Sequence, residues 1–243
     1  SLSWQTVVLG DPLARVAPAR APTATPAATA IDPATQLPAL FAKRRLENVS
    51  APGLNADAVK AMLRYEVLDA RGDAAGARQA LEQAASLEKA LAAPRLALAA
   101  LDEQAGNHDA AVARYREVLD ANGNNVIALN NLAFALAVHK KAPSDALPLA
   151  ERAYTLSRGD ATTADTVAWV HHLLGNRQQA ARYMAEALRG AGENGEVRLH
   201  AAAILAAAGD VEGARRELAR ALELDPTIEQ RRADVVAAVR ALR

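Results

Sequence analysis

The chain has 243 residues, 28 Lys plus Arg against 28 Asp plus Glu, no cysteine, and few aromatics in a composition that is 51% hydrophobic. Balanced charge removes the positive excess on which a nucleic-acid binder relies. The lack of cysteine removes disulfides and thiolate chemistry, and no apolar run is long enough to span a membrane. Much of the apolar content is alanine, the strongest helix former, so the composition predicts helices packed closely through small side chains.

The chain opens at Ser1 with no initiator Met, charged n-region or h-region, which predicts a processed or excised piece without a signal peptide. Trp4 to Leu9 is a β-branched run closed by Gly10-Asp11-Pro12, the pattern of a strand. One strand cannot form a sheet alone. Gly10-Asp11-Pro12-Leu13 resembles the segment that closes bacterial caspase- or gingipain-like α/β domains. That resemblance implies a parent protein with a protease-like domain upstream, although no catalytic His or Cys of that family lies in this chain. From Asp11 to Pro33 prolines punctuate Ala and Thr, which favours extended chain, so 1–33 reads as a strand-like segment followed by a linker. Residues 34–57 set Leu37, Leu40, Phe41 and Leu46 beside Lys43, Arg44 and Arg45 and predict an N-terminal helix packed against the remainder of the chain.

Beyond it, Ala77, Ala111, Ala146, Ala180 and Ala214 recur at spacings of 34, 35, 34 and 34 residues. Such a period marks a helix–turn–helix solenoid whose units are stable only when stacked. Five units are expected over 58–228. Four of them carry a turn signal, Gly72-Asp73, Gly106-Asn107, Gly175-Asn176 and Gly209-Asp210, in which Gly ends one helix and Asp or Asn caps the next. Four residues beyond the alanines stand Leu81, Tyr115, Met184 and Leu218, and three further on Ala84, Val118, Ala153, Ala187 and Ala221, all on one helix face. The first helices repeat the pairs Leu98-Ala99, Leu132-Ala133, Val167-Ala168 and Ala201-Ala202. The first unit departs from this with Arg64-Tyr65, which predicts an irregular first helix. The third has an extra residue in His139 to Ser144, which predicts a looser loop. After Asp225-Pro226, one amphipathic capping helix is expected to end the array over 229–243.

These repeats resemble the tetratricopeptide (TPR) family over about residues 58–243, which implies an all-α superhelix whose first helices line a concave groove. The resemblance places Glu66, Ala100, Phe134, Trp169 and Ala203 toward that groove. Phe134 and Trp169, large aromatics in adjacent repeats, are expected to form a contiguous apolar patch of the kind that marks binding surfaces. Asn130, Asn131, Asp165, Thr166, His172 and His200 are the polar groups expected beside them, and His171 is expected to pack. Ala100, Leu96, Thr162 and Thr166 stand where the family's carboxylate clamp would need other residues, which disfavours that mode.

No phosphate loop, HExxH or Cys pair is present, and the adjacent His171 and His172 point about 100° apart, so neither a metal nor a cofactor is expected. Exposed charge pairs such as Arg231-Arg232 read as solvated faces. The expected function is a non-enzymatic scaffold that binds a protein or peptide in the groove. Two alternatives stand beside it: an accessory region of a protease-like protein, and an envelope factor that assists polysaccharide assembly. The upstream resemblance tilts the compartment toward the periplasm or cell exterior, and the oligomeric state is left open.

Overall fold

The computed structural model describes residues 55–242, and every element among them is helical. The strand-like segment, the linker and nearly all of the N-terminal segment over 34–57 lie outside the described residues. Helix α1 (Ala56–Ala70) pairs with α2 (Ala74–Leu87), α3 (Ala92–Gln104) with α4 (His108–Ala121), and α5 (Val126–Val138) with α6 (Pro143–Leu156). Likewise α7 (Ala161–Leu173) pairs with α8 (Arg177–Ala191), and α9 (Gly195–Ala208) with α10 (Val211–Leu224). Short α11 (Ile228–Arg231) and α12 (Ala233–Arg240) follow.

Four of the five hairpin turns are built alike. Gly72, Gly106, Gly175 and Gly209 take left-handed φ of 75°, 76°, 76° and 88°. The next amide can then bond back to the preceding helix, as from Asp73 to Leu68 at 3.0 Å and from Asn176 to His171 at 2.9 Å. Asp73 and Asp210 go on to cap α2 and α10, accepting from the Gly76 and Gly213 amides at 2.9 and 2.8 Å. Asn107 and Asn176, expected to do the same, make no side-chain cap. The Asn176 amide turns instead to His171 Nδ1 at 3.3 Å. In the third turn Lys141 supplies the positive φ, 52°. The Lys140 and Ala142 amides bond Ala135 and Leu136 carbonyls at 3.1 and 2.9 Å, so the extra residue forms a bonded turn and not the looser loop expected.

The five periodic alanines are buried, and so are Leu81, Tyr115, Ala150, Met184 and Leu218 one helical turn beyond them. Small side chains at these places let the second helices sit close to the first. The first helix of the first unit is regular despite Arg64-Tyr65, because Ala58, Ala61, Met62 and Leu63 supply its buried face. Helix α5 is enclosed on nearly every side, with nine of its residues buried, as a helix apolar all round must be. Hairpins are also joined by polar ties. The buried Arg95 guanidinium donates to carbonyls that end α2, among them Ala85 O at 2.6 Å, and Arg198 repeats the device on Gly192 O at 2.6 Å.

The single terminal helix expected after Pro226 is broken at Arg232, whose φ of −127° and ψ of 40° are not helical. An unbroken helix would set Ile228 and Val236 about 80° apart around its axis. The break lets both enter one core with Leu218 and Val239.

Candidate functional site

The first helices α5, α7 and α9 touch one another across successive repeats, whereas each second helix packs between them. This closer approach on one side makes the first helices the inner face of the array. It brings Asn130, Asn131 and Phe134 of α5, Asp165, Thr166, Trp169 and His172 of α7, and His200 of α9 onto neighbouring helices.

The exposed aromatic patch expected from Phe134 and Trp169 is not formed. Phe134 is 4% exposed and Trp169 5%. The His200 ring from the next repeat stacks on Trp169 at 4.2 Å, His172 lies 4.9 Å from the indole, and Arg232 sits 5.7 Å over it. Phe134 meets His200 at 6.2 Å and His139 edge-on at 6.3 Å. Near neighbours, His139 and His172, and residues distant in sequence, His200 and Arg232, together roof the aromatics.

Polar groups beneath this roof are mostly paired. Both Asp165 carboxylate oxygens lie 3.0 Å from His200 Nδ1. Asn130 donates to Asn131 at 3.3 Å, and the Thr166 hydroxyl donates to the Thr162 carbonyl at 3.4 Å. Asn130 Oδ1, Trp169 Nε1 and His200 Nε2 are sealed and bond to no protein atom, a cost of about 1–3 kcal/mol each by the usual penalty for such groups. Burial, reinforced by the neighbouring His200, holds His172 below the ordinary imidazole value, and burial does the same to His171. His171 packs as expected, stacked on Tyr183 at 5.8 Å.

Glu66, Ala100 and Ala203, among the positions expected to face the groove, keep partial exposure, whereas of the aromatic and polar groups expected around Phe134 and Trp169 only His172 does. With Trp169 it forms one wall of a recess of about 400 Å³. Ala203, Ala206 and Ala207 form the floor, and Val235, Ala238 and Leu242 the opposite wall, with Asp234 beside them. The recess is thus mainly apolar, with an imidazole and a carboxylate for orientation.

A family model described as tetratricopeptide repeat matches residues 172–239, from the last residues of α7 into α12. The array has the fold of a tetratricopeptide repeat solenoid. MamA from Desulfovibrio magneticus is similar over 72% of this chain and 98% of its own, with a TM-score of 0.58 and 18% identity. A thermophilic TPR protein from Thermus thermophilus is similar over 75% and 98%, with a TM-score of 0.60 and 20% identity. YrrB, titled a TPR protein with an unusual peptide-binding site, is similar over 83% and 98%, with a TM-score of 0.55 and 17% identity. No curated protein sequence matches the chain. Among the described residues no helix is long and apolar enough to cross a membrane.

Two features of this helical array have no counterpart in the expectations from sequence. Arg231 and Arg232, read as a solvated pair, reach the buried Glu196 of α9 at 2.8 and 3.2 Å, because the break at Arg232 folds the chain back over the last hairpin. Glu103, His108 and His139 converge at the turn edge of the second and third hairpins. The one available signal for the latter was phase, since all three lie within a few residues of turns in adjacent units.

Proposed function

We propose that this TPR array is a non-enzymatic scaffold that binds an extended segment of another protein at the recess beside Trp169, burying one apolar side chain there. The observation that carries this reading is the recess itself, an apolar concavity with His172 and Asp234 placed to orient a backbone or polar group. The fold and the peptide-binding description of the similar YrrB agree with it. Its lining contains no Ser, Cys or Lys to act as a nucleophile, which favours binding over catalysis. Sugar stacking has less support, because the indole already meets His172, His200 and Arg232.

Ala207 lines the recess and is solvent-exposed, so Ala207→Trp fills the space without entering the core. Peptides selected from a displayed library should lose at least about tenfold in affinity for this variant, on the scale of a lost anchor contact. Its thermal unfolding should remain that of the parent. Undiminished binding would place the site elsewhere. Capture of glycans alone on a parallel array, abolished by the same variant, would replace the peptide reading with a carbohydrate one.

A further inference from the structure

The second and third hairpins meet at a cluster that the groove does not use. Glu103 ends the buried stretch of α3, His108 is the first residue of α4, and His139 is the C-cap of α5. His108 Nδ1 lies 3.3 Å and His139 Nε2 3.2 Å from the same oxygen, Glu103 Oε2, and all three ligand atoms fall within 4.8 Å of one another. The two imidazoles are stacked at 3.5 Å with planes 6° apart. The Glu103 side chain is 1% exposed, and its second oxygen, Oε1, is sealed with no protein partner.

No Lys or Arg side chain among the described residues pairs with Glu103. The neighbouring Asp102 takes up Arg78 and Arg114, both at 2.6 Å, and Asp109 takes up Lys140. A buried carboxylate is thus left with two imidazoles and an idle oxygen. From this arrangement we propose a divalent transition-metal site of the Zn²⁺ type held by Glu103, His108 and His139. A tetrahedral ion with bonds of about 2.0–2.1 Å sets neighbouring ligands about 3.3 Å apart. Two edges of that tetrahedron are already present. The third closes when the stacked rings tilt so that both planes converge on the ion.

Two imidazoles and one carboxylate suit Zn²⁺ and leave a fourth position for water or an incoming donor. The ion would tie three helices from two adjacent repeats into one unit, a staple distinct from the groove. The imidazole side chains are 34% and 20% exposed, so the ion has a path in from solvent.

The test uses the full chain stripped by a chelator and titrated with Zn²⁺ by calorimetry, with Co²⁺ as the spectroscopic probe. One ion per chain is expected, with visible absorption of a low-coordinate Co²⁺ and a higher unfolding temperature. His108→Ala and His139→Ala, at partly exposed positions, should each weaken Zn²⁺ by more than about 100-fold, beyond the loss caused by removing a supporting partner. Each should keep the parent helical circular dichroism. His172→Ala should bind as the parent does. Failure of the parent to bind Zn²⁺, or undiminished binding by the His108→Ala/His139→Ala double variant, overturns the proposal and leaves the cluster a hydrogen-bonded tie.

Discussion

The two helices of each hairpin do different physical work. Second helices α2, α4, α6, α8 and α10 bury almost nothing but small or apolar side chains, with Tyr115 the exception. First helices bury Arg95, Asp102, Glu103, Asn130, Asn131, Thr163, Asp165, Thr166, His171, Glu196 and His200. Alanine packing needs only correct spacing and tolerates repetition. Buried polar groups are tolerated only where partners meet them, within the helix as for Asn130 and Thr166 or from the next repeat as for Asp165 and His200, so the first helices carry what is individual to this chain.

The largest expected break in that comparison comes from the roofed aromatics. Phe134→Ala should cost about 3–5 kcal/mol of stability in chemical denaturation, as for other buried aromatics. A loss of binding with little change in stability would instead make Phe134 a surface anchor. Met184→Ala on a second helix should cost about 2–5 kcal/mol while sparing the recess. Next comes the contact between repeats four and five. A double-mutant cycle on Asp165→Asn and His200→Gln should give a coupling of about 0.5–3 kcal/mol, and additive losses would show that the pair is incidental.

Smaller effects sharpen the contrast within the turns. Asp210→Ala should cost about 1 kcal/mol through loss of its cap on α10, whereas Asn176→Ala, which removes no cap, should cost clearly less in the same unfolding measurement. The smallest effect is that of pH on His172. Its folded value lies below the ordinary 6.5, so the unfolded chain takes up a proton that the folded array resists. Stability from this group is present above about pH 6.5 and is lost as pH falls through the lower folded value. Thermal unfolding between pH 7.5 and 5 should show the decline, and His172→Gln should make it shallower, leaving the part due to His171, which burial lowers in the same direction.

Periodicity made the helical array legible because a 34-residue alanine spacing has few other physical explanations. The same phase sets Phe134, Asp165, Trp169 and His200 on neighbouring first helices. Their exposure was not legible, since it depends on what the next repeat and Arg232 lay over them, and a break at Arg232 has no periodic signature. The Glu103 cluster stayed hidden for a related reason. Its members are spread across two units and share no motif, and only the stacking of adjacent repeats brings them together.

The near-complete enclosure of α5 makes this array uneven along its length. A solenoid of equal units would open from any joint at similar cost. Here, separating the second hairpin from the third would wet a helix with almost no polar face, and the joints at α7 and α9 would do much the same, whereas peeling off the first hairpin exposes α1 and α2, which already have one. Amide exchange under mildly destabilising conditions should therefore advance inward from the first hairpin, with the backbone between Ala128 and Ala137 among the last to trade its hydrogens.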